Sequence, residues 1–329
     1  MAPQRRPVLV APDSFKGSVS ATEVAAAIGR GLARAGLSCD LAPVADGGEG
    51  TIAVLLERYG GEERVVAAHD PLGREREARF ALLADGHSAL VEVAAASGLA
   101  LLAPDERDAE AASSAGTGEL IAAAVDAGAS LILVAAGSSA TSDGGAGAIA
   151  AIARAGGLRG ARLTVLCDVR TPFERAAERF GPQKGADADT VLRLAARLEE
   201  LAAQLPRDPR GLAMGGAAGG LAGGLWAMFG AQLTAGAPYV LDALDFDRRL
   251  RASRAVIVGE GRIDATTLDG KAVAEVATRA RQLGVPTHAI VAVAAIDRFD
   301  ARILDLQTIL EARDIAAIER AAAQLATVL

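Results

Sequence analysis

The run V-L-V-A-P-D-S-F-K-G-S, Val8 to Ser18, constrains this chain more than any other stretch. Val8–Val10 is β-rich, and Pro12, which cannot donate into a ladder, ends the strand. Acid, hydroxyl, cation and glycine follow in Asp13, Ser14, Lys16, Gly17 and Ser18, and Ser20 and Thr22 then open an alanine-rich helix to about Gly36. A polar loop between a strand's carboxyl end and a helix start is where open α/β sheets bind ligands. The free N–H groups of such a helix start favour an anion.

Strand–helix alternation continues through Cys39–Val44, the loop Asp46–Gly50 and a helix from Thr51 to about Tyr59. This implies parallel strands with right-handed crossovers. Around Arg64 the rhythm changes. Val65–Ala68, Glu77–Leu83 and Ala89–Val93 read as strands joined by turns with no room for a helix, so antiparallel pairing is expected. Leu131–Ala135, Leu163–Cys167 and a helix around Thr190–Leu205 follow. Alternation resumes with strand Ala255–Val258, loop Gly259–Asp264, helix Lys271–Leu283, strand His288–Val293, a short strand near Ile303–Leu306 and helix Ile315–Leu329. At 329 residues two domains are the first expectation. The fold class is therefore α/β: a Rossmann-like parallel-sheet domain from both termini (1–64 with 251–329) and an inserted mixed α/β domain (65–250).

Composition narrows the function. A net charge of −7 argues against a nucleic-acid footprint, which needs a basic face. Two cysteines, Cys39 and Cys167, are too few for a disulfide framework. Arg5 and Arg6 lead into the first strand instead of a signal peptide's apolar core, so a cytoplasmic location is expected. Gly211–Leu241 carries no charge and is long enough to cross a bilayer, but its glycine repeats, Gln232 and Pro238 read as a glycine-rich turn entering a buried helix at Leu221–Phe229. No membrane role is expected.

Of 34 Lys+Arg residues only three are lysine, namely Lys16, Lys184 and Lys271, and each stands beside a glycine. A compact ammonium suits point contact with a phosphate better than a guanidinium fork does. Five glycine-bearing regions that follow strands also carry acids or hydroxyls: Asp13–Ser18, Asp46–Thr51, Gly137–Gly145, Asp168 and Gly259–Asp264. Glycine lets backbone N–H groups approach a polyanion, and carboxylates hold Mg2+ or take a proton from a hydroxyl. Together these are the needs of phosphoryl transfer. Neither G-x-x-x-x-G-K-S/T nor G-x-G-x-x-G occurs, so ATP would bind by another architecture.

Six segments match a known pattern. They are A-P-D-S-F-K-G-S (Ala11–Ser18), A-D-G-G-E-G-T (Ala45–Thr51), G-T-G-E-L-I (Gly116–Ile121), S-A-T-S-D-G-G-A-G (Ser139–Gly147), F-G-P-Q-K-G-A (Phe180–Ala186), and G-E-G-R-I-D with D-G-K (Gly259–Lys271). The chain resembles the bacterial glycerate kinase family from about Val8 to Pro286. That resemblance implies ATP- and Mg2+-dependent phosphorylation of D-glycerate, most often at the 2-hydroxyl, and a two-domain α/β fold with its active site in the interdomain cleft. Departures are Ser142 where the family usually has Asn, a shortened Ala148–Arg162, an altered Thr171–Ala177 and the replacement Ala292–Asp297. A kinase for another short hydroxy acid, or a non-catalytic nucleotide or metabolite binder, are the alternatives.

The candidate catalytic residues are Lys16, Asp46 and Asp168, with Asp46 or Asp168 on the acceptor side. Candidates for binding substrate or phosphate are Asp13, Ser14, Ser18, Gly47, Gly48, Glu49, Ser139, Thr141, Gly144, Gly145, Lys184, Glu260, Arg262, Asp264 and Lys271. Asp143 is the candidate metal ligand. If Lys16 neutralises a phosphate oxygen, Lys16→Arg keeps the charge but enlarges the head. It should lower kcat/KM by roughly tenfold or more, about 1.4 kcal/mol of transition-state stabilisation. Steady-state kinetics at full parental rate in that variant would refute the role.

Overall fold

The computed structural model describes residues 6–15 and 19–329. The chain divides into two compact units, one the N-terminal segment through Asp46 with Ala237–Leu329, the other Gly47–Gly236.

The first unit is a five-stranded sheet of β1 (Val8–Pro12), β2 (Cys39–Leu41), β9 (Ala255–Ile263), β10 (Thr287–Ala294) and β11 (Leu306–Glu311). Their order is β11-β10-β9-β1-β2, and every pairing is parallel. Val8 and Val10 pack with Ile28, Leu32 and Ile318, while the alternate residues Leu9, Val256 and Val258 are equally buried. Both faces are thus covered, as an all-parallel sheet requires. The helix Ala21–Arg34 starts in a capping box: Ser20 Oγ accepts from Glu23 N, and the Glu23 carboxylate accepts from Ser20 N. Gly31 lets this helix cross Ile315–Leu325 closely, since a Cβ there would lie 2.3 Å from Glu319 O. From β1 the chain moves outward to β2, and on its return it enters at β9 and moves the opposite way. The order reverses between β1 and β9, which makes the carboxyl ends of those strands the expected ligand crevice.

The second unit holds β3 (Gly61–His69), β4 (Glu75–Leu83), β5 (Ser88–Glu92), β6 (Leu131–Ala135), β7 (Arg162–Cys167) and β8 (Gln232–Ala235), in that order across one sheet. β3, β4 and β5 pair antiparallel, and β5 through β8 are parallel. The helix-free stretch read as antiparallel is so, and the helix Leu221–Phe229 lies where the sequence placed it.

Several boundaries differ from the sequence reading. The units divide at Asp46 and Gly236, not near Arg64 and Leu250. The helix Thr51–Tyr59 belongs to the second unit because Ile52 N donates to Glu92 Oε1 of β5 at 2.8 Å. The helices Gly236–Ala243 and Phe246–Ala252 belong to the first, where Arg279 pairs with Asp242 and Arg249 with Asp40. Residues 260–263, read as loop, continue β9 because β10 runs alongside them to Ala294. Ile303 closes a short helix, Arg298–Ile303, and the last strand starts at Leu306.

The glycine-rich segment packs backbone against backbone. A Cβ on Gly224 would sit 2.1 Å from Gly144 O. Helix propensity alone makes Gly224→Ala stabilising by about 1 kcal/mol. Displacing a buried backbone carbonyl costs roughly 1–3 kcal/mol, so the net sign should be destabilising. Chemical denaturation tests this, and a raised midpoint would contradict the packing.

Candidate functional site

In the first unit a cavity of about 310 Å3 opens at the reversal point, lined by Asp13, Ser14, Asp46, Glu260, Arg262 and Lys271. Asp13 follows β1 directly and its N–H is fixed by Gly259 O at 2.8 Å, while Ser14 N donates to Asp13 Oδ1 at 2.6 Å. Ser14 Oγ is shut from solvent and has no hydrogen-bond partner among the described residues. Lys16 and Ser18 lie outside the described residues.

Glu260, 6% exposed, accepts from Thr267 Oγ1 at 2.9 Å and lies 3.5 Å from Lys271 Nζ. Burial raises its carboxyl above the usual range and the Asp46 charge adds to this, while Lys271 and the Thr267 hydroxyl oppose it. Three carboxylates and two cations around one cavity offer both a seat for a phosphate and oxygen donors for a hard cation that travels with it. Asp264 is engaged elsewhere. It caps the turn Ala265–Asp269 through Thr266 N and Oγ1 and pairs with Arg262 at 3.1 Å. Burial works against its charge, but these partners together hold its carboxyl below the ordinary value.

In the second unit the remaining candidates gather at the carboxyl ends of the parallel strands. Gly137, after β6, approaches Gly48 and Asp168: a Cβ there would lie 2.6 Å from Gly48 Cα and 3.3 Å from Asp168 Oδ2. Gly47 is pressed against Leu166 and Gly236. Glu49 is exposed, and Gly48 O accepts from Thr51 Oγ1 at 2.7 Å.

Lys184 is 2% exposed and donates to Ser139 Oγ at 3.0 Å and to Thr141 O at 2.5 Å. Burial lowers its pKa to about 8, against the pull of Asp143 and Asp168. Read from sequence as a phosphate binder, it serves here as the internal anchor of the Gly137–Gly145 loop. Asp143 is likewise spent inside the loop. Its Oδ2 accepts from Ser114 N, Ser114 Oγ and Gly147 N, and its Oδ1 from Gly145 N. Those bonds brace Gly144 and Gly145 at the start of the helix Ala146–Arg154 and leave Asp143 poorly placed as a metal ligand. Among the described residues no group of three or more His, Cys, Asp or Glu side chains could cage a metal ion. Thr141 Oγ1 and Ser142 Oγ are buried without a hydrogen-bond partner among the described residues.

Sequence reasoning missed Thr267, which holds Glu260, and Glu92, which ends β5 as Asp168 follows β7. The signal for Glu92 was available: an acid closing an apolar strand, as in the other loops.

A family model described as "Glycerate kinase family" matches residues 8–156 and 153–328. Glycerate kinase of Bacillus subtilis (strain 168) is 40% identical, with 86% of this chain and 84% of the relative covered. Glycerate 2-kinase of Escherichia coli (strain K12) is 36% identical over the same shares. A solved structure designated a candidate glycerate kinase 2 from Salmonella typhimurium LT2 superposes with a TM-score of 0.79 at 34% identity, covering 99% of this chain and 98% of that one.

The buried ammonium of Lys184 makes stability depend on pH. Below pH 8 the folded and unfolded chains both carry the proton and the burial cost is present in full. Between about 8 and 10.5 the folded state binds fewer protons, so stability rises with pH, by up to about 3 kcal/mol. The stability difference between the parent and Lys184→Met, followed by denaturation across that range, should trace this rise. A flat difference would show that the ammonium is not held as described.

Proposed function

This chain belongs to the glycerate kinase family, and on that premise we propose that it transfers the γ-phosphoryl group of MgATP to the 2-hydroxyl of D-glycerate. The observation that carries this reading is the convergence of Asp13, Ser14, Asp46, Glu260, Arg262 and Lys271 on one cavity where the strand order reverses.

Lys271 and Arg262 offset phosphate charge there, and Ser14 Oγ, without a hydrogen-bond partner among the described residues, can donate to a phosphate oxygen. Asp13 and Glu260 would offer carboxylate oxygens to a Mg2+ ion arriving with the nucleotide, and that ion would neutralise charge on the transferring group. Because burial raises Glu260, it gains charge balance from a bound cation more than a solvated acid would. Asp46 or Asp168 accepts the proton of the substrate hydroxyl. As that O–H bond breaks, the oxygen bonds to phosphorus, the bridging P–O bond breaks, and ADP leaves. Gly137 has no room for a Cβ between Gly48 and Asp168, so the backbone there stays close to the Asp168 carboxyl, which suits a small substrate.

Phosphorylation of another short hydroxy acid is the second reading. Ala292 favours it, because this residue lines the cavity and opens the Ala292–Asp297 segment that departs from the family pattern.

ADP release with and without D-glycerate, and 31P NMR of the product, test donor, acceptor and position. At least one of Asp46→Asn and Asp168→Asn should lower kcat by tenfold or more with a much smaller change in KM, since a positioned base contributes roughly 100-fold or more. Unimpaired turnover in both variants would remove these acids from the proton transfer.

A further inference from the structure

Glu92 is the last residue of β5, registered against Ala135 of β6, and its side chain turns to the helix Thr51–Tyr59. That helix begins without a side-chain cap, because its N-cap is Gly50, at φ +92. Its first N–H groups need an acceptor, and a residue 40 positions along the chain supplies it. Glu92 Oε1 accepts from Ile52 N at 2.8 Å, and the same carboxyl accepts from Gly50 N. The loop so held, Gly47–Gly50, carries three residues assigned above to the site.

A cavity of about 270 Å3 lies beside the carboxyl group. The charged groups around it are Glu49 in the loop, Glu63 on β3, and Arg76, Glu77 and Arg79 on β4. Arg79 is paired with Glu63 at 3.1 Å, so the rim does not present a free cation to Glu92 from that pair. Burial pushes the Glu92 carboxyl up to about 7, and Glu49 and Glu63 push the same way against the bonds from Ile52 and Gly50. An ionised carboxylate accepts both N–H groups, with the helix dipole in its favour. A protonated one turns an O–H toward one of them and keeps a single good acceptor.

We propose that Glu92 is a positioning residue for the reaction: its carboxylate clamps Gly50 and Ile52, fixing the Gly47–Gly50 loop, and a proton on it loosens that loop. The link to catalysis rests on the function proposed above; the clamp itself does not. Glu92→Gln copies the protonated state in nearly the same volume.

Amide hydrogen exchange, corrected for intrinsic rates, and kcat/KM are each followed from pH 6 to 8.5 in the parent and in Glu92→Gln. In the parent, protection at residues 50–52 should rise with pH, and kcat/KM should rise with it. In Glu92→Gln both should stay at the parent's low-pH level, a deficit on the order of tenfold at pH 8.5 for the loss of one strong hydrogen bond. Parent protection at 50–52 that ignores pH, or a variant that keeps the parent's pH response, overturns the clamp. If the parent shows the protection change but does not phosphorylate glycerate, the clamp stands and the functional reading falls. A protection change with a pH-independent kcat/KM refutes the positioning role.

Discussion

Backbone-to-backbone contact around Thr141–Gly144 sets the terms for the whole second unit. A Cβ on Gly219 would come 1.9 Å from Thr141 O, and one on Gly224 2.1 Å from Gly144 O. Chains that approach this closely must satisfy their polar groups at the same time, because water has no room to do it. Gly144 N therefore donates to Gly219 O, Arg197 Nη2 to Ser142 O, and Lys184 Nζ to Thr141 O. Burying an ammonium is costly, and here it is offset by fixed acceptors and two nearby carboxylates. The loop at the end of β6 is held from below by charge and from the side by glycine, which leaves its own amides in a set arrangement.

Three buried ionic groups and the partly buried Glu92 show four ways of holding charge, and the differences sort structure from chemistry. Asp143 is saturated by backbone and hydroxyl donors, so it braces. Lys184 is enclosed, so it anchors. Glu92 is bound on one side only and sits on a cavity, which leaves it sensitive to a proton. Glu260 has one hydroxyl, one ammonium at 3.5 Å and an open cavity beside it, so a cation bound in that cavity would add to the balance of its charge.

The sequence made the elements legible where local chemistry decides them. Ser20 with Thr22 marked a helix start, Pro12 a strand end, and the glycine loop Asp46–Gly50 the start of Thr51–Tyr59. It misplaced what distant pairing decides. Glu260–Ile263 has the composition of a loop but becomes strand because β10 lies beside it. Thr51–Tyr59 looks like a continuation of the first alternation until Glu92 claims its amino end. Site residues followed the same rule. Asp13, Asp46 and Lys271 were readable as acids and cations at strand and helix ends, whereas the internal duties of Lys184 and Asp143 depend on Ser114, Ser139 and Thr141, which no spacing along the chain connects to them.

The turn after the helix Ala146–Arg154 shows where the fold tolerates a change of length. The family match breaks at residues 153–156, where the helix Ala146–Arg154 ends and Gly156 and Gly157, both with positive φ, turn the chain toward β7. No atom lies within 4 Å of a Cβ at either glycine, in contrast to Gly219 and Gly224. Length in such a surface turn costs only slowly growing loop entropy. The turn also lies at the amino end of β7, so trimming it leaves the strand's carboxyl end, with Asp168, in register with β6 through Leu131–Arg162 to Ala135–Leu166. A change of length in this turn therefore falls at the end of the strand opposite Asp168, away from the glycines whose backbones touch.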